Sequence, residues 1–134
     1  MPDFNVAVLY VKDINVSKTF YTGILGRTPK ELSPTFLSYQ LDSGMILELW
    51  QLDKVHPAAT ITGGGSELCM VLPDEDSLKR LYDQWKGRGV EFPQSPVKAV
   101  FGLTFVARDP DGHRLRAVVG ISADAASSTK KGAA

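Results

Sequence analysis

One cysteine, no net charge and no long apolar run limit what this 134-residue chain can be. Cys69 has no second cysteine to pair with, so an internal disulfide framework is excluded and the cytoplasm is the expected location. Lysine plus arginine and aspartate plus glutamate balance at 15 each, which argues against nucleic acid or an anionic membrane as the main partner. No apolar stretch approaches the roughly 20 residues that cross a bilayer, so no membrane span is expected. The opening "MPDFNVAVLYVKD" lacks the basic region and cleavage site of a signal peptide. What the chain does have is 43% apolar residues, enough for the core of a single domain.

The β-branched, aromatic "FNVAVLYV" reads as a buried strand. Asp13 or Asn15 caps a following helix whose apolar face is Val16, Phe20, Tyr21 and Ile24, and Gly26 stops it. "TFLSYQLDSGMILELW" reads as two strands around a turn at Asp42-Ser43-Gly44. Residues 53–66, ending in Gly63-Gly64-Gly65, read as a flexible link, since a phosphate loop would need a Lys-Ser/Thr and a helix start. "SELCMVL" is another strand. Asp74 or Asp76 then caps a helix with the stripe Leu78, Leu81, Tyr82 and Trp85, ended by Gly87 or Gly89. "GLTFVARDPDGHRLRAVVG" is a second hairpin around the turn-forming Asp-Pro-Asp-Gly, and residues 122–134 read as a disordered polar tail.

The order strand, helix, strands therefore occurs twice. A shift of 61 residues places Asp13 on Asp74, Phe20 on Leu81, Tyr21 on Tyr82 and Gly26 on Gly87. The same shift places Val6 on Glu67 and Val8 on Cys69. For the hairpins the shift becomes 68, placing Gly44 on Gly112, Leu47 on Leu115 and Glu48 on Arg116. Two equivalent half-domains, about 4–55 and 66–121, account for the coincidence of caps, stripes and stops.

"YVKDINVSKTFYTGILGRTP" and "DPDGHRLRAV" resemble the vicinal oxygen chelate superfamily of glyoxalases, extradiol dioxygenases and bleomycin-resistance proteins, over about residues 4–120. The resemblance implies an α+β fold of paired βαβββ modules whose curved mixed sheets form a ligand cavity. It also implies a divalent metal in the enzymes, held by the first and last strand of each module. Those positions are Val6, Glu48, Glu67 and Arg116 here. Val6 has no donor and Arg116 is a permanent cation, while His56 lies in the link and His113 beside a turn. No metal and no cofactor are therefore expected. "SELCMVLPDEDSLKRLYDQW", "VFGLTFVARDPDGHRLR" and "ILELW" further resemble phenazine-antibiotic resistance proteins, which sequester a drug unchanged. The function so implied is metal-independent, non-catalytic binding of a planar aromatic drug by a cytoplasmic homodimer. The alternative is a metal-dependent lyase or oxidoreductase using Glu48 and Glu67.

Strand alternation puts Ile46, Glu48 and Trp50 on one face, Glu67, Cys69 and Val71 on another, and Arg114, Arg116 and Val118 on a third. The resemblance turns Glu48, Glu67 and Arg116 inward. Arg116 then holds a ligand carboxylate through two hydrogen bonds or pairs with Glu67 to fix strand packing. Arg114 is expected near the strand end or the rim. Trp50 suits a flat heteroaromatic ligand, and Phe36, Tyr39, Phe101 and Phe105 are further wall candidates. Phe36 and Tyr39 have opposite parity, so both face the cavity only if the strand bulges. Cys69 reads as a small buried hydrophobe with no base beside it for nucleophilic catalysis.

Overall fold

The computed structural model describes residues 2–60 and 63–120, so the expectation for the tail lies outside the described residues. The chain divides into two compact units, Met1–Gly63 and Gly64–Ala134. In the first, β1 (Val6–Val11) leads into α1 (Ile14–Leu25), followed by β2 (Lys30–Ser33), β3 (Phe36–Gln40) and β4 (Ile46–Gln51). In the second, β5 (Glu67–Val71) leads into α2 (Glu75–Gly87), followed by β6 (Glu91–Ala99), β7 (Gly102–Arg108) and β8 (Arg114–Val118). Each unit is thus a βαβββ module. Its sheet is mixed, in the orders β1-β4-β3-β2 and β5-β8-β7-β6, with the first and last strands paired in parallel.

The two repeat shifts reappear in the strand registers. Val8 faces Glu48 in the first sheet, and their shifted counterparts Cys69 and Arg116 face each other in the second. Leu37 faces Leu49, and Phe105 faces Ala117 in the same way. The hairpin turns match bond for bond. Leu41 N–H donates to Met45 O at 3.0 Å, as Asp109 N–H donates to His113 O at 2.9 Å. Gly44 and Gly112 take positive φ angles of 93° and 85°, which a side chain would oppose.

Asp13 and Asp74 are the helix caps. The Asp13 carboxylate accepts from Asn15 and Val16 N–H, while Asp74 and Ser77 form a reciprocal capping box. These bonds hold the Asp74 carboxyl below its ordinary range. The buried side of α1 is Ile14, Ser17 and Tyr21, and Val16 is exposed. The expected face was rotated because it counted every apolar residue, whereas small Ser17 is the residue that sits fully buried against the core. In the second unit Leu78 and Trp85 are buried as expected, and Tyr82 packs on Phe92 and Phe105.

Within each unit the helix packs on one face of its own sheet. In the first unit Tyr39 faces α1, since its hydroxyl hydrogen-bonds Thr22 at 2.9 Å and its ring meets Tyr21. Leu37, Leu47 and Leu49 share that side and are buried. In the second unit Phe105 packs against Tyr82 and Trp85 of α2, with Leu115 and Ala117 buried beside it. The opposite faces carry the other candidate functional residues, Phe36, Glu48 and Trp50 in the first sheet and Glu67 and Arg116 in the second.

Candidate functional site

On the open face of the first sheet, register aligns Tyr10, Trp50 and Phe36 across three adjacent strands. Trp50 and Phe36 stack with centroids 5.3 Å apart and planes 12° from parallel. Tyr10 meets Trp50 edge-on at 6.4 Å and 75°. All three are partly exposed. A pocket of about 590 Å³ adjoins Tyr10 and is bounded by Ala58, Ala59 and Thr60. Glu48 occupies the next row on the same face, between Val8 and Ser38. Tyr10 was missed from sequence because strand alternation assigns a face within one strand. Only the parallel β1–β4 register places Tyr10 beside Trp50.

Tyr39 and Phe105 are not on these open faces. Both are fully buried beneath the helices. Parity decides between Phe36 and Tyr39, and β3 pairs with β4 without a register shift. Burial raises the Tyr39 hydroxyl pKa, opposed by the Thr22 hydrogen bond and the nearby Lys18 charge.

The open face of the second sheet is ionic. Arg116 Nε donates to Glu67 Oε2 at 2.5 Å, and its Nη1 donates to Thr104 Oγ1 at 3.0 Å. Thr104 Oγ1 in turn donates to Ala117 O at 2.7 Å. The Arg116 guanidinium also lies over Phe101, 5.5 Å from the ring centroid. The Glu67–Arg116 pair is diagonal in the sheet, because Cys69 is the direct partner of Arg116 and Arg114 that of Glu67. Side-chain exposures of 19% for Arg116 and 37% for Glu67 leave the pair partly screened by solvent.

Cys69 is exposed rather than buried. It stands on edge strand β5 and on the side away from α2, so its outer flank has no neighbouring strand in the sheet and α2 packs on the other face. Its thiol pKa is raised, first by desolvation and then by Glu67, with Arg116 acting in the opposite direction.

The superfamily's metal positions do not fit a divalent cation in either unit. In the first, Val6 supplies no donor beside Glu48. In the second, Glu67 is already neutralised by Arg116. Among the described residues no group of three or more His, Cys, Asp and Glu side chains is placed to hold a metal ion. Among the same residues no helix is long and apolar enough to cross a membrane.

Paired βαβββ modules with mixed four-stranded sheets define a vicinal oxygen chelate fold. The family model of the Glyoxalase/Bleomycin resistance protein/Dioxygenase superfamily matches residues 3–117, and the chain belongs to that superfamily. It is similar to the phenazine antibiotic resistance protein EhpR of Enterobacter agglomerans, 28% identical over 115 residues, spanning 84% of this chain and 88% of that protein. The solution NMR structure of an Agrobacterium tumefaciens protein superposes with a TM-score of 0.81 at 41% identity, covering 90% of this chain and 98% of that one. A glyoxalase-related enzyme from Fulvimarina pelagi shares the fold at a TM-score of 0.78 and 22% identity, covering 90% and 89%.

Proposed function

We infer that this protein is a non-catalytic resistance protein that binds a planar aromatic drug, such as a phenazine, and keeps it from its target. The single observation that carries the reading is the Tyr10–Trp50–Phe36 row. It gives a partly exposed aromatic platform on the sheet face opposite α1. A flat heteroaromatic ligand gains roughly 0.5–1.5 kcal/mol by stacking there, beyond the area it buries. The similarity to a phenazine resistance protein supports that ligand class. The donor sets at the superfamily's metal positions support a metal-free mechanism, in which binding is stoichiometric and the drug is unchanged. In this reading the protein works as a cytoplasmic homodimer, as the superfamily resemblance implies. Sedimentation equilibrium reads the oligomeric state directly, and a monomer that binds drug equally well removes the dimer.

Fluorescence titration of chelator-treated protein with phenazine-1-carboxylate tests the reading. Saturable tryptophan quenching at one ligand per chain is expected, strongly reduced in Trp50→Phe while Trp85 still emits. If quenching is absent, and binding or turnover appears only on adding a divalent metal, the reading is wrong.

A further inference from the structure

One row of the second sheet runs Glu67, Arg114, Arg108, Glu91, each a direct neighbour of the next in register. With Arg116 on the same face, three guanidinium groups stand against two carboxylates. Both carboxylates are already committed. Glu91 Oε2 accepts from Arg108 Nε at 3.1 Å and Nη2 at 2.9 Å, and Glu67 Oε2 accepts from Arg116. Arg114 forms no ion pair among the described residues, and its Nε is buried without a hydrogen-bond partner. It also opens strand β8, directly after the Asp109–His113 turn. In that turn the Asp109 carboxylate accepts from Asp111 and His113 N–H, each at 2.8 Å, which fixes where the strand begins.

A buried N–H of a partly exposed guanidinium left without a partner is unfavourable, and its natural complement is an acceptor that carries negative charge. We propose that Arg114, rather than Arg116, is the anion-recognition residue of this sheet face, and that it takes the carboxylate of a flat aromatic acid bound on that face. The proposal rests on the drug-binding reading only for the aromatic part of that ligand. Arg116 is excluded from the role because its Nε and Nη1 already bond Glu67 and Thr104. Arg114 keeps an Nε–H that nothing in the sheet satisfies.

The test combines arginine Nε–H NMR with calorimetry, using benzoate, phenazine-1-carboxylate and its uncharged carboxamide as probes. The resonance that disappears in Arg114→Gln should shift with both carboxylates and stay still with the carboxamide. Arg114→Gln should weaken phenazine-1-carboxylate by about tenfold or more, as loss of a charge-assisted hydrogen bond does, and change the carboxamide less than about twofold. Arg114→Lys, which keeps the charge and loses the planar fork, should fall between. Unchanged thermal unfolding of Arg114→Lys separates lost recognition from a lost fold. If benzoate moves the Arg114 signal and no phenazine binds, the anion site stands and the drug reading falls. If phenazine-1-carboxylate binds wild type and Arg114→Gln equally, the anion proposal is overturned and the drug reading survives. Silence with every probe overturns both.

Discussion

Arg116 illustrates how little a side chain's type says until its partners are known. From sequence it was equally a clamp for a ligand or a strut between strands, and the bonds to Glu67 and Thr104 make it a strut. Arg116→Ala should therefore destabilise the fold by roughly 1–2 kcal/mol, more through the unpaired Thr104 and Glu67 than through Coulomb energy in a partly exposed pair. Denaturant unfolding measures this. The same residue tunes Cys69. The thiol pKa is raised by partial desolvation and by Glu67 and lowered by Arg116. Glu67→Gln should speed alkylation of Cys69 by iodoacetamide, and Arg116→Ala should slow it, with the rate–pH curves shifting down and up respectively. Identical curves for the two variants would mean that neither charge reaches the sulfur. Tyr39 was legible as a wall candidate only because its face was open to choice. Its hydroxyl bond to Thr22 makes it core. Tyr39→Phe should cost about 1 kcal/mol of stability and leave drug affinity unchanged, the reverse of what Trp50→Phe does.

At the scale of elements, most of the fold was visible in the sequence, and the strands that were missed share a cause. The residue pattern yields β1, β3, β4, β5, β7 and β8, all with apolar alternation or buried runs. It passes over β2 and β6. Both lie at sheet edges, so neither needs an apolar face, and β2 is merely "KELS". β6 contains Pro93 and Pro96, which an edge strand tolerates because half its N–H groups have no partner strand. Of the seven residues by which the two repeat shifts differ, five fall in this strand, which is nine residues long against four in β2 and has two register shifts, and two in β7, which has seven residues against five in β3. The glycine of "VFGLTF" also has its reason here. Gly102 has φ of 122°, and a Cβ there would lie 1.8 Å from Val119 O and 2.9 Å from Gly120 Cα. Backbone cannot yield as a side-chain tip can. Gly102→Ala should thus destabilise the second unit by several kcal/mol, on the order of 3, and broaden its amide spectrum while leaving that of residues 6–51 in place. A fully stable Gly102→Ala protein would mean that β7 and the chain after β8 do not cross so closely.

For the whole molecule, the question is whether binding or turnover is the activity, and stability linkage separates the two. A ligand that binds only the native state adds about 2.7 kcal/mol at a free concentration 100-fold above its dissociation constant. For a chain of this size that raises the melting temperature on the order of 10 °C. Phenazine-1-carboxylate should produce that rise in wild type without added metal, and a much smaller one in Trp50→Ala. A sequestering protein holds the shift indefinitely, because the ligand it releases is the ligand it bound. An enzyme lets the shift decay as substrate becomes product. Incubating equimolar protein and ligand overnight, then extracting and weighing the ligand by mass spectrometry, completes the comparison. Recovery of unaltered phenazine with an undiminished thermal shift is the expected result. A decaying shift with a new mass in the extract would assign this chain to the catalytic branch of its superfamily, with Glu48 and Glu67 as the first carboxylates to replace.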